Sequence, residues 1–334
     1  MSWLFALCLP PAIALAAMAV LKRSRWAQRL ADHPNERSLH TQATPRLGGI
    51  AMMMGILPVA AALAPGLDVA WAAAFGLALV SFADDLRSLP VFVRLGAHFA
   101  AAALAISLLA PAALGSLVLA AALVLAIAWM TNLYNFMDGA DGLAGGMTLI
   151  GFAAYALGAW RAGDAALALG SATIASASIA FLAYNFPPAR LFMGDAGSIP
   201  LGFLAGILGT YGVFTGAWPP WFPLLVFSPF VVDATVTLAR RLARGEKIWI
   251  AHRQHCYQRL VLAGWNVRRL AMVEYIVMLA AAASALLASA AGLAIQCAIL
   301  VLWFAFYVAA IFTVEGMERS KAPRDEGAPP GLNG

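Results

Sequence analysis

The chain is short of charge. Only 11% of its 334 residues are Asp, Glu, Lys or Arg, against about 25% in soluble domains. That scarcity excludes an ordinary water-soluble enzyme and a disordered segment alike. Cysteine is scarce too: Cys8, Cys256 and Cys297 form no Cys-x-x-Cys and no Cys/His metal pattern. A disulfide scaffold and a structural zinc site are therefore not expected. No repeat of fixed period and no heptad pattern runs through the chain. What is abundant is apolar sequence, at 63% of residues.

A bilayer-spanning helix needs about 20 mostly apolar residues. Eleven stretches approach that length: 3–21, 47–64, 69–83, 93–110, 114–131, 146–160, 165–184, 197–214, 221–239, 270–290 and 293–314. The expected fold is an all-α polytopic membrane protein of about 11 transmembrane helices. It forms one domain over 1–334, with a disordered tail at 320–334. Lys22, Arg23, Arg25 and Arg29 follow the first stretch and no basic run precedes it, which predicts an N-terminus outside and no cleaved signal peptide. Alternation then makes 22–46, 84–94, 132–145, 185–196, 240–269 and 315–334 cytoplasmic. These segments hold all the Lys and Arg except Arg161, as the positive-inside rule requires. The C-terminus is then cytoplasmic.

Most of the sixteen acidic residues have ordinary explanations in turns, basic loops or the tail. Glu274, near the start of a span, can snorkel to the surface. Asp84, Asp85, Asp138, Asp141, Asp195 and Asp233 remain, each at the cytoplasmic end of an inward-running span. Charge at membrane depth costs several kcal/mol and marks function. Carboxylates gathered on one face repel unless a cation joins them, and oxygen-only ligands favour Mg²⁺ or Mn²⁺. The alternative is that each acid caps a helix or pairs with an arginine.

Asp84 and Asp85 are about 100° apart on a helix, so they face different ways unless the helix unwinds. In Asn132-x-x-Asn135-x-x-Asp138-Gly-x-Asp141-Gly-Leu-Ala-Gly-Gly, polar groups recur every three residues and end in a turn able to offer N–H groups to phosphate. In Asn185-Phe-Pro-Pro-Ala-Arg-Leu-Phe-Met-Gly194-Asp195-Ala-Gly197-Ser198, Asp195 and Ser198 open a helix, as anion ligands or as the N-cap. Arg46, before Gly48-Gly49, reaches a phosphate or simply anchors the span. In the basic loop, His252, Arg253 and His255 suit the phosphates of an anionic substrate. There Asp233 orients an arginine.

Taken in order, Pro-Arg-Leu-Gly-Gly (45–49), Asp-Asp (84–85), the Asn/Asp run (132–146), Phe-Met-Gly-Asp-Ala-Gly-Ser (192–198) and the histidine loop (251–260) resemble the polyprenyl-phosphate N-acetylhexosamine-1-phosphate transferases, the MraY/WecA superfamily or glycosyltransferase family 4. The resemblance implies a Mg²⁺-dependent transfer of sugar-1-phosphate from a UDP-N-acetylhexosamine to undecaprenyl phosphate, releasing UMP, at the cytoplasmic face of a bacterial inner membrane. It implies Asp195 as metal ligand, supported by Asp138 and Asp85. It implies that Asp84 or Asp85 binds or deprotonates the lipid phosphate. Asp141 and Asn185 would line the nucleotide pocket, with Asn135, Arg46, His252, Arg253 and His255 as further substrate contacts. Its partners are the donor, the lipid acceptor, the bilayer and a second copy in a homodimer, not nucleic acid.

Two departures stand out. Leu86-Arg87-Ser88 follows the Asp pair where many relatives carry a further acid or a lysine. His252-Arg-Gln-His255-Cys-Tyr257-Gln-Arg-Leu replaces a histidine cluster. The latter form looks like the O-antigen-initiating, WbpL-like branch, which handles N-acetylated 6-deoxy sugars such as FucNAc and QuiNAc. It argues against the phospho-MurNAc-pentapeptide transferase of peptidoglycan synthesis. A secondary transporter would place its acids near the midplane in inverted repeats, and a non-catalytic scaffold would have no need of six acids at one face.

Overall fold

The computed structural model describes residues 1–34, 42–247 and 252–321. The Asn35–His40 part of the first loop and most of the tail lie outside the described residues. The chain begins with α1 (Ser2–Lys22) and the short α2 (Arg25–Arg29). Two residue pairs, β1 (Ala31–Asp32) and β2 (Thr44–Pro45), then form an antiparallel ladder with Ala31 opposite Pro45. From there the chain is helical: α3 (Gly48–Leu63), α4 (Asp68–Arg87), α5 (Val91–Leu109), α6 (Leu117–Met137), α7 (Leu143–Arg161), α8 (Ala165–Asn185) and α9 (Asp195–Phe214). The last part holds α10 (Trp221–Val226), α11 (Ser228–Ala243), α12 (Cys256–Leu262), α13 (Val267–Ala288) and α14 (Leu293–Lys321). The protein is an all-α polytopic membrane protein.

All eleven expected stretches are helical, but only nine helices among the described residues have the length and hydropathy to cross a bilayer alone. Two stretches differ from a single membrane-length helix. The stretch 47–64 becomes α3, whose 16 residues reach about 24 Å at 1.5 Å per residue, short of the roughly 30 Å hydrocarbon layer. Inside the bundle it packs against α1, α8 and α9. The stretch 221–239 is broken at Phe227 into α10 and α11. Pro229, in the first turn of α11, has no N–H to extend a helix arriving from α10.

Burial separates core from rim. In α7, α8 and α9, 72% of the apolar window is buried, against 6% in α14. The first three are the pillar of the bundle, and α14 turns nearly all its surface outward. Tyr155 of α7 sits in the pillar among Phe152, Trp218, Phe222 and Phe227, and its hydroxyl donates to the Ala205 carbonyl at 3.0 Å.

At one end of the pillar α3 and α9 touch backbone to backbone. A Cβ on Gly49 would overlap Gly197, and one on Gly197 would overlap Gly49. This approach lets Gly48 N–H reach the Phe192 carbonyl and Gly49 N–H the Met193 carbonyl, both at 2.9 Å. Phe192 N–H in turn donates to the Pro45 carbonyl at 2.9 Å. The Pro-Arg-Leu-Gly-Gly and Phe-Met-Gly-Asp segments, far apart in sequence, are thus laced together. Replacing Gly197 with valine should force α3 and α9 apart, costing at least about 1–3 kcal/mol of overpacking. The check is a fall in the thermal midpoint of the detergent-purified protein together with loss of activity; an unchanged midpoint would show that the approach is dispensable.

Candidate active site

The laced segments set Arg46 and Asp195 on the wall of one cavity. It has a volume of about 180 Å³, and its described lining includes Asp32, Arg46, Asn135, Asp138, Asp141, Asn185, Phe192 and Asp195. Each arrives for a local reason. Asp195 is the first residue of α9, placed there because Gly194 takes φ +73° at the N-cap, a conformation that disfavours residues with a Cβ. Neither Asp195 nor Ser198 is the cap. Asn135, in the last turn of α6, donates through Nδ2 to Asp195 Oδ1 at 2.8 Å and to Ser198 Oγ at 2.9 Å. Asp138 is the C-cap of α6 and accepts from Gly194 N–H.

The Asn/Asp run does not stay on one helical face, because α6 ends at Met137. Asn132 turns away to the His98 ring of α5 (3.1 Å) and the Ala128 carbonyl (2.7 Å). Asp141 lies in the following turn and accepts from Ala189 N–H at 2.8 Å. The glycine turn does not offer all its N–H groups outward. Gly142 N–H goes to Asn185 Oδ1 at 2.8 Å, and Asn185 Nδ2 donates to the Leu191 carbonyl at 2.9 Å. Buried Asn185 therefore rivets the turn to the Phe-Met-Gly-Asp segment while lining the cavity.

Asp84 and Asp85 part as the helical geometry demands, without unwinding. Asp84 accepts from Leu89 N–H at 2.6 Å and from Arg94 at 2.9 Å, so it closes the α4–α5 turn. Asp85 faces the other way, within the field of Asp195, Arg46 and Asp84, and takes a bond from Ala196 N–H. Its Oδ2 is buried with no hydrogen-bond partner. Burial and the charge of Asp195 push the Asp138 carboxyl well above the usual carboxylate range, and Arg46 opposes them. Arg46 is itself held by Asp32 at 2.6 Å. Asp32, one of the acids expected simply to pair within a basic loop, does pair with an arginine but also stands on the cavity wall. Its place follows from the ladder that sets it opposite Thr44, just ahead of Pro-Arg-Leu-Gly-Gly, a pairing no sequence motif marks.

Among the described residues no group of three His, Cys, Asp or Glu side chains is placed to hold a metal ion. The residues nevertheless fit a hard divalent cation. Asp195, Asp138 and Asp85 supply oxygen donors only, one buried oxygen lacks a partner, and Mg²⁺ binds through one or two carboxylates together with substrate phosphates and water.

The histidine loop lies elsewhere. His255 is buried and caps α12, accepting from the N3 backbone while Gln258 accepts from the His255 N–H. Its Nδ1 stands 3.4 Å from Asp233 Oδ1, and its ring stacks on Phe136 and Tyr257. Asp233 does not orient an arginine. It accepts from Cys256 N–H at 2.8 Å, Tyr257 N–H at 3.1 Å and Thr237 at 3.1 Å, anchoring the start of α12. Among the described residues, His252, Arg253 and His255 are absent from the lining of the aspartate cavity. Burial, then His255 and Arg241, lower the His252 pKa to about 4, which leaves that ring neutral near pH 7.

With this geometry in view, comparison with known proteins gives a consistent result. The glycosyl transferase family 4 model matches residues 68–213. A probable undecaprenyl-phosphate N-acetylglucosaminyl 1-phosphate transferase of Bacillus subtilis is 28% identical over 281 residues, covering 77% of each chain. The decaprenyl-phosphate N-acetylglucosaminephosphotransferase of Mycobacterium tuberculosis is 30% identical over 295 residues, covering 73% of this chain and 72% of its own. A phospho-N-acetylmuramoyl-pentapeptide-transferase of Desulforudis audaxviator is 27% identical over 301 residues, covering 77% and 88%.

Two outcomes are expected. Asn185→Leu leaves the Gly142 N–H and the Leu191 carbonyl without their partner, at about 1–3 kcal/mol each; the thermal midpoint should drop and catalysis should fall with it. His252 has a lowered folded pKa, so the unfolded chain binds more protons between about pH 4 and 6.5 and stability rises with pH across that window. His252→Gln should flatten that rise in thermal midpoints taken from pH 4.5 to 7, while an undiminished slope would place its origin elsewhere.

Proposed function

The chain belongs to the polyprenyl-phosphate hexosamine-1-phosphate transferases of glycosyl transferase family 4, and from that membership we propose that it moves an N-acetylhexosamine-1-phosphate from a UDP-sugar to undecaprenyl phosphate with release of UMP. The carrying observation is that Asp138, Asp195 and Arg46 line one cavity at one end of an apolar bundle, with Asp85 within the field of Asp195 and Arg46. Such an end can take a water-soluble nucleotide from one side and a lipid phosphate from the membrane. In this reading it faces the cytoplasm of a bacterial inner membrane, in keeping with the distribution of Lys and Arg.

Phosphoryl transfer depends mostly on positioning and charge neutralisation. In our reading Asp195, with Asp138 and Asp85, holds Mg²⁺, which when bound neutralises charge on the phosphates. Asn135 fixes the Asp195 carboxylate through its amide. Asp141 and Asn185 shape the wall that receives the nucleotide. Arg46, steadied by Asp32, offers its guanidinium to a phosphate oxygen. Asp85 is better placed than Asp84 to accept a proton from the acceptor phosphate, since Asp84 is engaged by Arg94 and Leu89. His255 supports the site through Phe136 and α12 rather than by touching the donor.

The histidine-loop motif favours a 6-deoxy donor, UDP-FucNAc or UDP-QuiNAc, and O-antigen initiation. The names of the relatives favour UDP-GlcNAc. The deciding assay gives purified protein undecaprenyl phosphate, Mg²⁺ and a panel of UDP-GlcNAc, UDP-FucNAc, UDP-QuiNAc and UDP-MurNAc-pentapeptide, and follows UMP and lipid-linked product by mass spectrometry. Product from the 6-deoxy donors alone supports the O-antigen reading, product from another donor moves the enzyme to that branch, and no product from folded protein overturns the reaction. In the same assay Asp195→Asn should lower turnover by at least about 10³-fold; near-wild-type turnover would remove Asp195 from the metal role.

A further inference from the structure

A second cavity, of about 370 Å³, opens where α11, α12 and α14 end. Its described lining shares no residue with the aspartate cavity. Arg240 and Arg244 come from the last turn and C-cap of α11, Arg253 from the loop before α12, and Arg259 from α12 itself. Against these four guanidinium groups the described lining sets a single carboxylate, Glu315 of α14, which pairs with Arg240, while Glu246 outside the lining stands 3.9 Å from Arg244. The cavity is therefore strongly cationic, and guanidinium groups match phosphate oxygens two at a time.

Its position separates the two sources of phosphate. Leu262 belongs to the lining; Leu242, 65% exposed, is in the last turn of α11, and Phe312, 65% exposed, stands one turn before Glu315 on α14. The outward surface of α14 above them is almost wholly open. A ligand here has charged groups at its head and apolar helix surface beside it. No aromatic ring is among the described lining to stack a base. Basic pockets at the ends of membrane helices suit anionic headgroups.

We propose that this arginine cavity is a binding site for the phosphate headgroup of an anionic glycerophospholipid, with the acyl chains lying along α14. An occupied site joins the ends of α11, α12 and α14. Because Asp233 of α11 also anchors the start of α12, headgroup binding stiffens the helix that carries the histidine loop.

The test is native mass spectrometry of the full-length protein in detergent, titrated with phosphatidylglycerol or phosphatidylcholine. Phosphatidylglycerol should be retained at least about fivefold more tightly, and Arg244→Gln should lower its retention about fivefold, the effect of one surface arginine on an anionic lipid. The Arg244 side chain is 66% exposed, so this variant should keep its thermal midpoint; Arg240→Gln is the second. Arg23→Gln, an exposed arginine away from the cavity, should change nothing. The proposal fails if both folded cavity variants keep the wild-type preference, or if Arg23→Gln lowers retention equally. It also fails if millimolar inorganic phosphate or UDP-GlcNAc displaces the lipid, since the cavity would then serve a soluble anion.

Discussion

The constraint on which this structure rests is the mutual repulsion of carboxylates at the end of an apolar bundle. Asp85, Asp138 and Asp195 come from α4, from the end of α6 and from the start of α9, and each feels another's charge. Removing carboxylates from water costs several kcal/mol each, so the fold has to supply compensation. It does so with a few fixed groups: the Asn135 amide, the Gly194 and Ala196 N–H groups, and Arg46. What these leave over is a negative site with an orphan oxygen. Nothing in the bundle's stability asks for such a site; its residual charge suits a cation and the phosphates that come with it.

The bundle is arranged to hold that compensation still. α7, α8 and α9 form a dense pillar, and α3 is pressed so closely on α9 that two glycines meet. The approach costs side chains, and backbone bonds replace them: Gly48 and Gly49 donate to Phe192 and Met193. Arg46, two residues before the first glycine, is thereby brought to the cavity that Asp195 also lines. Asp32 completes the chain of support from the opposite strand of the small ladder. A mobile arginine would neutralise the carboxylates only part of the time, so the two-residue ladder has electrostatic consequences out of proportion to its length.

Much of this was legible in the sequence, and the reasons for success and failure are physical. Composition and hydropathy expose membrane helices because lipid leaves the backbone no other solution; that is why all eleven stretches are helical. Hydropathy does not register a break such as that at Phe227, because both halves are apolar, and it overrates α3, which is buried by protein rather than lipid. The divergence of Asp84 from Asp85 followed from helical geometry alone. The fate of Asn132 did not, since its partner His98 lies 34 residues away. Asp32 was obscured by the basic residues around it, where pairing with any neighbour was reasonable.

The histidine loop shows how a residue can be needed near a site without lining it. A cluster of histidine and arginine suggests a cationic hand for phosphate, yet burial and neighbouring positive charge keep His252 neutral near pH 7. His255 caps α12, and its Nδ1, buried without a hydrogen-bond partner, stands 3.4 Å from Asp233. The link to the aspartate cavity is mechanical. Tyr257 donates to the Phe136 carbonyl at 3.2 Å and leaves no room for a side chain at Gly139, so α12 presses on the very turn that sets Asp138. Asp233 can hold both N–H groups at the start of α12 only while α11 keeps its place, and α11 is tied to α14 through Arg240 and Glu315. The path from the rim of the bundle to the turn that sets Asp138 thus runs through packed helices and hydrogen bonds. On the two proposals made above, the arginines at the rim would meet an anionic headgroup, while the carboxylates would meet phosphates on the other side of the turn.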